Sequence, residues 1–264
     1  MFNTIGRQIQ RWLVVGWLAS LAVGVGAQPY PARAVTLVVP FAAGGGTDSI
    51  ARDVAKLMAD KLGQPVVVDN RGGAGGAVGA DAVAKAKPDG YTIAHVFPTL
   101  LRMPHMGKVD YDPLTDFTWI LNIADYLSAV VVRADAPWKA WPDLIAWAKA
   151  NPRRLSYATT GIGGVQHVSG ELFQLMAGVK MNHIPYKGGT PATIDTLAGQ
   201  VPVIFNNMLN AAPHVKSGKM RALGVTGTQR AAILPRVPTV SEAGLNGYEV
   251  TDWYGLLEIG RAHV

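Results

Sequence analysis

Residues 35–70 constrain this chain more than any other stretch. Val35, Thr36, Leu37, Val38 and Val39 form an apolar, β-branched run, followed by a glycine-rich turn that contains Gly44, Gly45 and Gly46. Ile50, Val54, Leu57, Met58 and Leu62 then recur at helical spacing, and Val66, Val67 and Val68 make a second apolar run. The pattern predicts a strand, a backbone cradle, a helix and a second strand. Thr47 or Asp48 would cap the helix start, and Gly63 ahead of Gln64 and Pro65 would close its end. Runs that are apolar on both faces belong to buried parallel strands. Three glycines where the helix N–H groups point outward leave room for an anion to approach the backbone.

At 264 residues the chain can hold two lobes or one large domain. Its formal charge is +6, and two of those charges, Arg7 and Arg11, lie in a leader without acids. The rest of the excess is dispersed with no Lys/Arg run, which argues against nucleic acid as a partner and suits weak attraction of small anions. Residues 12–27 are apolar and end in Val25, Gly26 and Ala27, so residues 1–27 read as a cleavable secretory signal, with an uncleaved anchor as the alternative. A membrane span needs about 20 apolar residues. The absence of cysteine rules out disulfides, thiolate metal sites and cysteine nucleophiles. Export without cysteine fits a bacterial periplasm.

A second glycine-rich loop occupies residues 71–76, but Val78 stands where a dinucleotide fingerprint needs its third glycine. This loop either lets a helix pack close to a strand or also lines a pocket. Residues 91–96 read as a third strand and residues 104–118 as an irregular loop, whose Asp110, Asp112 and Asp116 lack the spacing of a calcium site. Residues 119–132 are suited to carry the chain from one lobe into another, and Trp138, Trp141, Leu144, Ile145 and Ala148 mark an amphipathic helix.

The opening pattern then recurs: a strand over 155–159, a glycine-rich turn over 160–164, a helix over 165–177 and a strand over 181–186. Further elements follow as a helix over 190–197 capped by Thr190, a strand over 201–205, a helix over 210–216 and a strand over 220–226. This alternation predicts an α/β protein in two lobes with parallel-rich sheets, its two cradles facing each other at the carboxyl ends of strands.

Several motifs in order carry a family resemblance: Pro40-Phe41-Ala42-Ala43-Gly44-Gly45-Gly46-Thr47-Asp48, Asn70-Arg71-Gly72-Gly73-Ala74-Gly75-Gly76, Pro185-Tyr186-Lys187-Gly188-Gly189, Leu197-Ala198-Gly199-Gln200, and the run from Pro235 to Gly244. Over residues 30–257 the chain resembles the substrate-binding proteins of tripartite tricarboxylate transporters, the Bug family of periplasmic receptors. The resemblance implies a two-lobed type II periplasmic binding protein, a "Venus flytrap". Such a protein, expected as a monomer without cofactor or metal, presents a small carboxylate to a two-component membrane permease.

It also implies a division into a first lobe over 28–124, a second over 125–228 and a return toward the first over 229–257. By the same resemblance, Phe41, Ala42, Gly46, Thr47 and Asp48 would hold a ligand carboxylate through backbone N–H groups and waters, with Thr99 lining that side. Thr160, Gly161, Gly164 and His167 would form the facing cradle, with Tyr186 and Lys187 nearby. Asn206 stands where the family often has the acid of an Asp-Asn pair, a change that bears on ligand preference. Residues 258–264 depart from the family's Ala-Pro-rich continuation and back-translate to a short-read sequencing adapter, so a non-native tail on a truncated first lobe is expected.

Catalytic signatures are missing: there is no Gly-x-Ser-x-Gly, no Gly-Lys-Ser/Thr after the triple glycine and no His-Glu-x-x-His. His167 and Glu171 share a helix face, which as a pair reads either as a structural or ligand-binding histidine or as half of a metal site. The expected function is therefore a solute receptor. The alternatives are a sensor for a membrane kinase and a periplasmic enzyme acting on a small acid.

Overall fold

The computed structural model describes residues 29–260, so the expected signal segment and residues 261–264 lie outside the described residues. β1 (Val35–Val39) pairs in parallel with β2 (Val66–Asn70) and with β3 (Thr92–Val96), as the apolar runs require. Between β1 and β2 runs α1 (Gly46–Leu62), and between β2 and β3 a single 3-10 turn (Ala74–Gly76) leads into α2 (Ala77–Ala84). Successive residues of β1 face opposite ways, as the strand repeat dictates. Leu37 and Val39 pack with Ala51 and Ala55 of α1, whereas Val38 packs with Ala80 and Val83 of α2.

α3 (Thr99–Met106) follows β3 directly, and part of it occupies sequence that reads as an irregular loop. Pro104 has no N–H to donate to the carbonyl of Leu100. The Tyr111 hydroxyl approaches that carbonyl at 3.4 Å, so the helix passes through a residue expected to break it. The acids that follow close the loop themselves, Asp116 Oδ2 accepting from the Asp112 N–H at 2.7 Å.

β4 (Phe117–Arg133) is the strand on which the two halves meet. Residues Phe117 through Leu127 pair with β9 (Thr251–Ile259), which also pairs with β3. From Ser128 onward the same strand lies between β7 (Val203–Asn207) and β8 (Met220–Val225). β5 (Leu155–Thr159) pairs in parallel with β7 and with β6 (Met181–Pro185). The order β2-β1-β3-β9-β4-β7-β5-β6, with β8 also on β4, is thus a curled mixed sheet. Its parallel pairs sit within each lobe, and its antiparallel pairs gather around β4 and β9 where the chain crosses between lobes. Glu258 and Ile259 complete β9, and the Gly260 N–H donates to the Asp116 carbonyl at 2.8 Å.

In the second lobe, Val130 and Val132 face α4 (Trp141–Ala150) and α5 (Val165–Ala177), packing with Leu144, Phe173 and Phe205. Ala129 and Val131 face α6 (Gly189–Leu197) and α7 (Met208–Lys216), packing with Ala192, Ile204 and Ala211. Gly188 is the residue at the start of α6, with φ of 148°, a backbone conformation that L side chains rarely adopt and that Thr190 does not supply.

Candidate ligand-binding cleft

The turn after β1 is held from beneath by Asp48. Gly45 is the capping residue of α1, so Asp48 lies inside the first turn and reaches back, its Oδ2 accepting the Gly44 N–H at 2.9 Å and Arg52 Nε at 2.9 Å. Its Oδ1 accepts from Asn70 Nδ2 at 3.0 Å, and Asn70 also donates to the Phe41 carbonyl at 3.1 Å. Burial pushes the Asp48 carboxyl up, but the bonds from Arg52, Gly44 and Asn70 together hold it below its ordinary value. Asp48 therefore shapes the cradle rather than facing its opening.

The second cradle, Thr160 to Gly164, precedes α5 in the same way. The Thr160 hydroxyl donates to Gln166 Oε1 at 2.7 Å, and Gln166 Nε2 donates to Ser128 Oγ at 3.3 Å. His167 Nδ1 accepts the Gly163 N–H at 3.2 Å, and its ring stacks on His183 at 4.2 Å. Burial lowers the pKa of both rings, that of His183 to about 4 with help from the neighbouring imidazole, so both are neutral at pH 7. His167 Nε2 lies 3.8 Å from Glu171, which accepts the Tyr157 hydroxyl at 2.7 Å. Among the described residues no three metal-ligating side chains come together.

The two cradles meet. The Ala42 N–H donates to the Lys187 carbonyl at 3.3 Å, the Gly46 N–H donates to Asn210 Oδ1 at 2.5 Å, and Arg102 Nε donates to the Gly163 carbonyl at 3.1 Å. Close approach accounts for the second glycine loop as well. A Cβ on Gly75 would lie 2.3 Å from the Ile162 carbonyl oxygen, and one on Gly161 would lie 2.5 Å from the Gly75 nitrogen. That loop packs against the opposite cradle and contributes no residue to the cavity between them.

The cavity is lined by Phe41, Ala42, Gly45, Gly46 and Thr47 from the first turn, Tyr126 from β4, Thr160 and Gln166 from the second cradle, and Gly189, Asn207 and Asn210. It measures about 20 Å³, room for one or two water-sized groups. It is flanked by an open cleft of about 780 Å³ that shares Tyr126 and Asn207 and includes Arg230 and Tyr254. A second cleft of about 560 Å³ lies over Gly44, Gly45, Gly46 and Asn210. The first N–H groups of a helix have no partner within the helix. Here Gly44 donates to Asp48 and Gly46 to Asn210, whereas the N–H groups of Gly45 and Thr47 have no hydrogen-bond partner among the described residues.

Of the residues expected at the site, Phe41, Ala42, Gly46, Thr47 and Thr160 line the cavity. Thr99 instead accepts Arg102 Nη2 at 3.3 Å, and Tyr186 donates to Asp195 at 2.7 Å, its hydroxyl pushed up to about 12 by burial and by that acid. Gly161, Gly164 and His167 shape the second turn, and Lys187 contributes its carbonyl while its side chain is exposed. Asn206 is buried behind the wall, donating to Thr193 Oγ1 at 2.8 Å, and its neighbour Asn207 lines the cavity. Tyr126, Gln166, Gly189 and Asn210 were not foreseen. Gln166 adjoins a glycine turn and was within reach of the sequence pattern, whereas Tyr126 lies in an apolar run that gives no sign of a site.

Asp252 lies behind Tyr126, 4% exposed, and accepts the Tyr126 hydroxyl at 2.7 Å and the Trp253 N–H at 3.0 Å. Burial raises its carboxyl to about 6, against the opposing pull of Tyr126, Arg102 and the Trp253 N–H. A folded pKa above the unfolded one contributes stability at low pH that is lost as pH rises through the folded value. The contribution of Asp252 is therefore expected to disappear between about pH 4 and pH 6. Chemical denaturation across that range should show the decline in the parent protein. Asp252→Asn should flatten it and be more stable at pH 8 by on the order of 2 kcal/mol.

Two lobes joined by a shared strand, with opposed glycine turns closing on a cavity, define a solute-binding protein of the periplasmic type. The chain belongs to the tripartite tricarboxylate transporter receptor family: the model described as "Tripartite tricarboxylate transporter family receptor" matches residues 50–260. It is 38% identical over 242 residues to the protein BugT of Bordetella pertussis, covering 90% of this chain and 74% of BugT. Among solved structures it is similar to the periplasmic binding protein BugD, with a TM-score of 0.84 and 39% identity over 88% of this chain and 78% of that one. MatC of Rhodopseudomonas palustris with bound malate gives a TM-score of 0.83 and 34% identity, covering 87% and 79% respectively. No helix among the described residues is long and apolar enough to cross a membrane.

Proposed function

We propose that this chain is a periplasmic receptor that captures a small organic carboxylate and delivers it chemically unchanged to a two-component membrane permease. The observation that carries this reading is that Gly45 and Thr47, whose N–H groups have no hydrogen-bond partner among the described residues, line a small cavity at the start of a 17-residue helix. A helix N-terminus favours negative charge by about 0.3–2 kcal/mol, and two main-chain donors match two carboxylate oxygens without a buried cation. The cavity takes the carboxylate head, and the body of the ligand extends into the cleft beyond Tyr126 and Asn207. Malate in MatC, a relative of the same fold, supports the ligand class, and the family itself supports the transport role. Opening of the lobes pivots where β4 leaves one sheet and enters the other, next to Leu127.

A thermal-shift screen of small mono-, di- and tricarboxylates tests the proposal. A ligand at 100 times its Kd adds about 2.7 kcal/mol, which for a protein of this size raises Tm by about 5–10 °C. One or more acids should give that shift without turnover to product. A screen in which no carboxylate moves Tm, or in which the bound acid is converted, contradicts it.

A further inference from the structure

The cavity has two poles of opposite hydrogen-bonding character. On the first-lobe side it is lined by Gly45 and Thr47, whose N–H groups have no hydrogen-bond partner among the described residues. On the other side stand two hydroxyl-bearing residues, Tyr126 and Thr160, and both of their protons are already committed. Tyr126 donates to Asp252 Oδ2 at 2.7 Å, and Thr160 donates to Gln166 Oε1 at 2.7 Å. The Tyr126 ring is fixed by stacking on Tyr254 at 4.3 Å with 13° between planes. The Gln166 amide donates to Ser128 Oγ and also to the Tyr126 oxygen, taking up one of its lone pairs, and Asn207 Nδ2 donates to the Tyr254 hydroxyl. What Thr160, and Tyr126 with its remaining lone pair, present to an incoming group is therefore acceptor oxygen. A bare carboxylate satisfies the first pole and leaves the second facing oxygen with no proton between.

We infer that the ligand carries a hydrogen-bond donor, a hydroxyl or an ammonium, beside the bound carboxylate, and that Asp252 imposes this choice by holding the Tyr126 proton away from the cavity. The inference rests on the receptor reading above and narrows its ligand class. Asp252 acts through Tyr126 and is a positioning residue. The groups facing it are Tyr126 on β4, Tyr254 and the Trp253 N–H on β9, and the charge of Arg102 on α3. A site built to accept a ligand's proton discriminates against the analogue without it by more than a missing methylene group would, because the site's own polar atoms are then left unpaired.

The test is isothermal titration of the full chain with matched acids that differ only by the donor: lactate against propionate, malate and aspartate against succinate, citrate against tricarballylate. In every pair that binds, the donor-bearing acid should bind at least about tenfold tighter. The malate and aspartate arms decide between hydroxyl and ammonium. Asp252→Ala, which frees the Tyr126 proton to turn inward, and Tyr126→Phe, which removes it, should each bring the ratio toward one. Equal or tighter binding of the plain acid by the parent protein overturns the inference, and this comparison stands even if a variant fails to fold. A ratio unchanged in both folded variants also overturns it. If no acid of any pair binds, the receptor reading fails, and the inference fails with it.

Discussion

Gly46→Val is expected to weaken carboxylate binding at least about 100-fold while leaving the unliganded protein within about 1 kcal/mol of its parent. A Cβ at this position lies 2.7 Å from Leu209 Cβ and 3.2 Å from Asn210 Oδ1, both on the opposite lobe. The Asn210 amide can swing aside, but the 2.7 Å contact cannot relax that way, because it is to a Cβ fixed to its own helix. The backbone of Gly46 is not in the left-handed region, so a side chain is tolerated by α1 itself and the whole cost falls on closure. If closure is populated to 1% or less, apparent affinity falls by the same factor, about 2.7 kcal/mol. Gly107→Ala is the control, since its Cβ meets nothing within 4 Å and its φ of 178° is extended. Titration of both variants with an acid found by thermal shift checks the pair.

The largest effect on stability is expected at Trp141. It is fully buried at the start of α4, where it packs against Phe173 with ring centroids 4.8 Å apart, within the cluster that includes Phe205 and Val130. Truncation of a buried aromatic to alanine loses its transfer free energy and leaves a cavity, about 3–5 kcal/mol in all. For a protein of this size Trp141→Ala should lower Tm by about 6–20 °C. The indole N–H has no hydrogen-bond partner among the described residues, so the side chain contributes there through packing. Trp141→Phe, which keeps much of the ring and removes the unpaired donor, should cost less than half as much. Urea denaturation of the three proteins separates these outcomes.

The parts of the fold that could be read from sequence are those whose information is local. The β1–α1–β2 unit and its repeat around β5 and α5 each combine an apolar run, a turn that needs glycine and a helical repeat within about 40 residues. Even there the stripe misleads in places: Leu57, at a position that fits it, is 66% exposed. α3 was hidden because Pro104 argues against a helix, and the carbonyl that Pro104 leaves free is approached by Tyr111, a residue further along the chain. The glycine turns identify half of the cavity wall for the same local reason.

The remaining wall depends on strand pairing. Tyr126 and Asp252 are direct partners in the β4–β9 ladder although 126 residues separate them, so neither carries a signal until the register is known. Thr99, His167 and Tyr186 lie near the cleft, but each has a protein partner that holds its side chain to a structural contact.

The central claim is that main-chain N–H groups of the first turn grip a carboxylate inside the closed cleft. A crystal structure of the protein with an acid selected by thermal shift tests it most directly. The account predicts carboxylate oxygens about 2.7–3.1 Å from the Gly45 and Thr47 nitrogens, enclosed by Tyr126, Thr160 and Asn207. A carboxylate seated elsewhere, with those two N–H groups bonded only to solvent, would contradict it.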